Sequence, residues 1–258
     1  MTPIAPLGLV AGGGRLPEIL REARPCFTVG LEGFADPKLS DAVLPVGRVG
    51  AIFDALRAAG CREIVLAGYF RRPNFAALRL DWTGLGVLLR LLPVWGGDAS
   101  LLARVVREFE RAGFAVLGAQ DVAPDLLAPA GAMGALRPAD TADIAAGVAA
   151  AKALGGTQRG QAVLVRDGAI LAREGRGGTA AMLRGVAARG AVLVKAAMPG
   201  QDRRVDLPTI GADTIAQARA AGLRGIAVEA GAALVLDRDR TAKAADDAGI
   251  FLFGAAPC

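Results

Sequence analysis

The chain has 258 residues, 53% of them hydrophobic, with 35 glycines and only 5% aromatics. That is ample material for sizeable cores, and a Gly- and Ala-rich, aromatic-poor chain is expected to fold as α/β, in one large or two smaller domains, rather than as a β-sandwich. A net charge of +5 and a pI near 9.6 favour acidic partners, but the cations are scattered without an aromatic-plus-basic stripe, so nucleic acid is the weakest choice.

No histidine is present, which excludes a His-based triad, a His general base and zinc held by imidazole. Cys26, Cys61 and Cys258 are widely spaced and form no C-x-x-C motif, which points to a reducing cytosol rather than a disulfide framework. The N-terminus lacks a basic leader with a small-residue cleavage site, and no apolar run approaches ~18 residues, so a soluble protein is expected.

In chain order, Ile4–Ala11 reads as a strand, Gly12-Gly13-Gly14 as a turn, and Leu16-Pro17-Glu18 as a helix start. Such a turn lets a backbone approach a phosphate or ribose at a helix N-terminus, or is simply tight. It is not G-x-G-x-x-G, and no acidic residue is read where a ribose ligand would be. Cys26–Leu31 and Glu63–Gly68 read as further strands, with Val49–Ala59 as a helix, and this alternation implies a parallel sheet. Arg71 and Arg72 follow the end of a strand, where they meet a phosphate or form a basic loop. Leu85–Trp95 is apolar enough for a buried helix or for a surface that meets something greasy. Asp98 sits at an N-cap position, with a functional carboxylate as the second reading, and Leu101–Arg111 resumes an amphipathic helix. Phe114–Leu117 closes the first half.

Between Gln120 and Thr141 the chain is rich in Pro, Ala and Gly, which places a boundary between domains at 1–133 and 138–258. The second half reads as helix Thr141–Leu154, a hairpin around Asp167-Gly168, helix Thr179–Arg189 and a strand Ala191–Ala196 that ends near Lys195. Helix Ala212–Ala221, strand Gly225–Val228 with Glu229 at its end, strand Ala233–Leu236, helix Arg240–Ala248 and strand Ile250–Phe253 follow.

One stretch concentrates the chemistry: Gln201–Gly211, Q-D-R-R-V-D-L-P-T-I-G. Arg203 and Arg204 offer planar forks suited to phosphate oxygens, while Asp202 and Asp206 offer carboxylates for a hard cation or for activating water. If the segment is extended, alternation puts Arg204 and Asp206 on one face, and Pro208 ends the run. A solvated charged turn before a helix is the plainer reading.

Taken together these residues resemble the LpxI family of UDP-2,3-diacylglucosamine pyrophosphatases. The resemblance rests on G-G-G-x-L-P at Gly12–Pro17, Phe34-Ala35-Asp36-Pro37, Arg72-Pro73, Gly97-Asp98, Gly178-Thr179 with Met182-Leu183, Lys195, the Pro199-to-Pro208 motif with Gly211, and Glu229-Ala230-Gly231. It implies two α/β domains, the first a Rossmann-like parallel sheet and the second mixed, with the site between them. It also implies a magnesium-dependent hydrolase, manganese being the substitute ion, that splits UDP-2,3-diacylglucosamine into UMP and 2,3-diacylglucosamine 1-phosphate. By resemblance, Asp206, Asp202, Arg204 and Lys195 are catalytic, with Asp206 at the position of the family's essential aspartate. Gly12, Gly13, Gly14, Arg72, Thr179, Gln201, Pro208 and Thr209 bind substrate, and Asp206, Asp98 and Glu229 hold the metal. Where the family's E-G-T-D-x-M-L is expected, this chain has Gly177 and Ala180 in place of the acids; Ala99 replaces another acid and Met198 a Lys. The implied partners are a lipid-linked UDP-sugar and the inner leaflet of the cytoplasmic membrane, to which a basic cytoplasmic protein binds peripherally; homodimerisation is left open. Two other classes stay open: a non-catalytic nucleotide-lipid binding protein that has lost acidic residues, and a dinucleotide-dependent oxidoreductase.

Overall fold

The computed structural model describes residues 5–69, 79–91, 98–139, 141–157 and 159–256, with the backbone alone at 98–100. Two compact units emerge: residues 1–124 together with 202–206, and residues 125–201 together with 207–258.

The first unit begins with β1 (Leu7–Ala11), α1 (Leu16–Ala23), β2 (Cys26–Leu31), β3 (Ala42–Leu44), α2 (Val49–Ala58) and β4 (Glu63–Ala67). It continues with α3 (Trp82–Leu91), α4 (Asp98–Arg111), β5 (Ala115–Leu117) and the single turn α5 (Ala119–Val122). Its strands pair in the order β3-β2-β1-β4-β5, and every pairing is parallel. The continuous apolar run of β1 is buried at all five residues, as a strand covered on both faces requires. Helices α2 and α4 close one face through Leu56, Val106 and Phe109, and Phe53, Phe109 and Phe114 meet ring to ring at centroid distances of 5.1–6.2 Å. Asp98 is the first helical residue of α4 rather than a residue preceding it, a shift of one position within the usual uncertainty of helix ends.

The second unit comprises β6 (Gly131–Ala132), α6 (Ala142–Gly156), β7 (Ala162–Arg166), β8 (Ala169–Arg173), α7 (Gly178–Gly185) and β9 (Val192–Lys195). After these come β10 (Thr209–Ile210), α8 (Ala212–Ala220), β11 (Gly225–Glu229), β12 (Leu234–Val235), α9 (Arg238–Asp247) and β13 (Phe251–Ala255). Six strands form a mixed sheet in the order β6-β13-β11-β9-β7-β8, parallel through β13, β11 and β9 and antiparallel at both margins. β10 and β12 make a separate parallel pair. At the β7–β8 hairpin Asp167 and Gly168 take φ of +52° and +76°, the left-handed pair that a two-residue turn requires. The carboxylate of buried Asp143, in the first turn of α6, accepts both N–H groups of the hairpin turn, at 3.1 and 2.6 Å, and is paired with Arg224 at 2.5 Å. Burial works against its charge, but the Gly168 N–H, Arg224 and the Asp167 N–H outweigh it and hold the carboxyl below its ordinary range.

Candidate functional site

In the first unit the strand order reverses at β1, which has β2 on one side and β4 on the other; ligands of open α/β sheets gather at the carboxyl ends of strands beside such a reversal. The Gly12–Gly14 turn stands there. Gly12 donates its N–H to Ala67 O at 2.8 Å, while Gly13 and Tyr69 exchange N–H···O bonds at 2.8 and 2.9 Å. A Cβ on Gly12 would lie 2.5 Å from Tyr69 O, so one reason for glycine is to let two backbones pass. The amides of Gly12 and Gly13 are thus spent on the chain itself. What the turn offers a ligand is the cleft above it, about 400 Å³, whose wall also includes Arg21, Thr28, Phe34 and Asp36. Glu32 directly follows β2 and approaches Arg79 to 3.8 Å. This corrects the sequence expectation: an acidic residue does stand at the end of the second strand, where dinucleotide folds place their ribose ligand. Arg72 lies outside the described residues, as does the side chain of Asp98.

The Asp202–Asp206 segment belongs to this unit and is not extended. The Asp202 carbonyl accepts from both Val205 N and Asp206 N at 3.1 Å, which makes it a turn, and Arg204 and Asp206 do not alternate along a strand. The cause is Asp202 itself: its carboxylate accepts from Arg204 N at 3.1 Å, from Nε at 2.9 Å and from Nη2 at 2.7 Å. An Asp that captures the amide two residues on competes with a strand ladder and favours a turn. Arg204 Nη1 also reaches Glu110 at 2.7 Å, and Val205 packs on the core of this unit. The two carboxylates raise the Arg204 pKa further, and the Arg204 guanidinium holds the Asp202 carboxyl below its ordinary value. The Arg203 carbonyl accepts from Gln120 Nε2 at 3.3 Å.

In the second unit a polar group forms where β9 and β11 end, since Lys195 closes β9, Glu229 closes β11, and Lys195 pairs with Val228. The Lys195 ammonium is buried and donates to Thr209 O at 3.3 Å. Burial pushes its pKa below the ordinary lysine value, with the Glu174 carboxylate as partial relief. Glu174 has its own partners: Oε1 accepts from Thr179 Oγ1 at 2.6 Å and Oε2 from Gln161 N at 2.8 Å. Lys195, Glu174, Thr179 and Thr209 are therefore linked. Glu229 is bound on both oxygens, by Lys152 Nζ at 2.7 Å and by Ala197 N at 3.1 Å. Gln201 Oε1 accepts from Met198 N at 3.1 Å, while its buried Nε2 has no partner among the described residues, and neither has Gln161 Oε1. Pro208 is buried, and its carbonyl accepts from Leu234 N at 2.8 Å, which seats β10 beside β12.

Sequence reasoning did not identify Lys152 or Gln161. Lys152 carries a local signal, as a cation in an otherwise Ala- and Gly-rich helix; Gln161 carries none. Carboxylate oxygens suit a hard divalent cation. Yet among the described residues no three His, Cys, Asp or Glu side chains gather in a way that could hold a metal ion. Of the expected ligands, Asp206 lies in the first unit's turn and Glu229 is occupied by Lys152. The side chain of Asp98, the third expected ligand, lies outside the described residues.

Comparison with known proteins fits this layout. Residues 6–126 match the family model of the LpxI N-terminal domain and residues 129–253 that of the LpxI C-terminal domain. A protein of Caulobacter vibrioides, UDP-2,3-diacylglucosamine pyrophosphatase LpxI, is 44% identical over 275 aligned residues, covering 97% of this chain and 98% of its own. Two α/β units, a glycine turn after the first strand, a buried lysine at a strand end and full-length likeness of this degree make the chain a member of the LpxI family.

Proposed function

We propose that this chain hydrolyses the pyrophosphate bond of UDP-2,3-diacylglucosamine, releasing UMP and 2,3-diacylglucosamine 1-phosphate in lipid A biosynthesis. The observation that carries the proposal is 44% identity across 97% of the chain to a protein of that name. The chemistry at the end of β9 is compatible with it. Water adds across the P–O–P linkage, one phosphorus taking the hydroxyl and the other leaving as a phosphate monoester, and the site must offset the charge that grows on the phosphoryl oxygens.

Lys195 supplies a buried cation on which the Glu174 carboxylate acts, but Glu174 is already bound on both oxygens; a phosphoryl group would satisfy the lysine. Thr179 and Thr209 belong to the same linked group, and Gln201 Nε2, without a partner among the described residues, is a further donor. In this reading Asp206 orients the attacking water, Asp202 and Arg204 shape the turn that presents it, and the cleft above Gly12, Gly13 and Gly14 takes part of the nucleotide. Arg72 and Pro208 complete the proposed substrate contacts. The requirement for magnesium or manganese, with Asp98, Asp206 and Glu229 as ligands, is part of the proposal on the strength of the family resemblance. So is peripheral binding to the inner leaflet; no helix among the described residues is long and apolar enough to cross a membrane.

The test is UMP release from UDP-2,3-diacylglucosamine in mixed micelles, with and without magnesium. Turnover supports hydrolysis. Tight binding without turnover at any metal concentration favours a nucleotide-lipid binding protein instead, the reading suggested by the missing acids at Gly177 and Ala180.

A further inference from the structure

Helix α3 has two apolar faces, of which the described residues of its unit bury only one. Gly84, Val87 and Leu91 are buried, whereas Trp82 is 90% exposed, Leu89 59% and Leu85 38%. At 100° per residue the exposed three fall within about 60° of one another and opposite the buried three. Leu80, just before the helix, adds another side chain at 38%.

The helix is held firmly in this attitude. Asp81 caps its first turn through Gly84 N at 2.6 Å and also accepts from Ala51 N of α2 at 3.1 Å. At the other end Arg90 grips buried Glu108 of α4 with Nε and Nη2, at 2.6–3.0 Å. The outward apolar face is therefore presented rigidly, with cations beside it: Arg79 and Arg90 leave 70% and 51% of their side chains exposed.

We infer that the Trp82–Leu85–Leu89 face of α3 is a membrane-docking surface that inserts into the headgroup–acyl boundary of an anionic bilayer. Three features select a bilayer over other occupants. An indole beside leucines is the composition favoured at a membrane interface. Flanking arginines and a net charge of +5 complement anionic headgroups. The four side chains expose on the order of 450 Å² in all, about half of what each partner contributes to a standard protein interface, so the patch is too small by itself to hold a second copy. The inference rests on the proposed lipid substrate for its purpose, since docking by α3 would bring the enzyme to the layer in which that substrate dissolves.

The experiment uses the full chain, as wild type and as the double variant Trp82→Ser, Leu89→Ser. Co-sedimentation is measured with phosphatidylcholine vesicles containing about 30% phosphatidylglycerol, at low and high salt, together with UMP release from substrate in detergent micelles and in the same vesicles. At least a tenfold loss of vesicle affinity in the variant, with unchanged micellar activity and reduced vesicle activity, is expected. Equal vesicle binding by the two proteins, no binding by either, or a wild-type dimer that the variant converts to monomer would overturn the inference. Vesicle binding is read without turnover, so an inactive wild type refutes the proposed hydrolysis while the docking result still stands on its own.

Discussion

Replacing Lys195 with Met separates function from stability in opposite directions. In the folded chain the ammonium is buried with one hydrogen bond among the described residues, 3.3 Å to the Thr209 carbonyl, a contact contributing about 1 kcal/mol. Against that stands the desolvation of a charge, several kcal/mol even after relaxation. Glu174 is not left bare when the lysine goes, because Thr179 Oγ1 and Gln161 N still fill its two oxygens. Met has similar length and fits the apolar stem, so Lys195→Met should stabilise the fold by about 1–3 kcal/mol near neutral pH, raising Tm by roughly 2–4 °C per kcal/mol.

The pH dependence follows from the sign of the shift. The Lys195 pKa is lowered in the folded chain, so between that value and the unfolded one, about 10.4, the unfolded chain holds more protons. Stability from this group is complete above the unfolded value and is lost as pH falls through the folded one. The wild type should therefore gain on the Met variant as pH rises through this window. If Lys195 is the cation that meets the phosphoryl group, UMP release drops by at least ~100-fold in the same variant. Differential scanning calorimetry from pH 7 to 10 and a discontinuous UMP assay measure both effects. A lower Tm at neutral pH would refute the reasoning and make Lys195 a structural tie to Thr209.

Asp143→Ala should cost on the order of 3 kcal/mol, because it orphans two turn amides and a partly buried guanidinium; thermal melting should fall by about 6–12 °C. The contribution of Asp143 is present above its unfolded pKa and is lost as pH falls through its depressed folded value, so the gap between wild type and variant should close in acid. Asp206→Asn should lower UMP release at least ~100-fold with circular dichroism and Tm unchanged; retention of more than about a tenth of the activity would make Asp206 structural. EDTA should abolish turnover, with magnesium or manganese restoring it, and undiminished activity in chelator would remove the metal from the proposal.

The parallel core was legible because its strands are continuous apolar runs: Cys26–Leu31 emerges with the bounds read from sequence. The β7–β8 hairpin was legible for a local reason, as Asp167-Gly168 can take positive φ at both positions. β3 and β6, of three and two residues, are too short to express a period. The Q-D-R-R-V-D-L-P stretch misled because four residues of polar–apolar alternation are shared by strands and turns. The deciding contact, the Asp202 carboxylate on Arg204 N, follows from side-chain chemistry rather than periodicity. The pairing of Lys152 with Glu229 joins α6 to β11 across long sequence separation, and nothing in either local sequence announces it.

The same contrast ranks the cations as phosphate binders. Sequence favours Arg204, whose planar fork matches an oxyanion, but here the fork is filled: Nε and Nη2 hold Asp202, and Nη1 holds Glu110. A substrate phosphate at Arg204 would have to displace two carboxylates already at hydrogen-bonding distance. Lys195 has the opposite balance. Its charge is buried, its one direct acceptor among the described residues is a neutral carbonyl, and the carboxylate that acts on it, Glu174, is shared with Thr179 and Gln161. A fold retains a buried ammonium so weakly compensated only at a cost, and a charge kept at a cost is where function is to be sought. An incoming phosphoryl group would supply the countercharge that burial withholds, and that is why the proposed phosphate site is centred on Lys195 rather than on the more conspicuous Arg204.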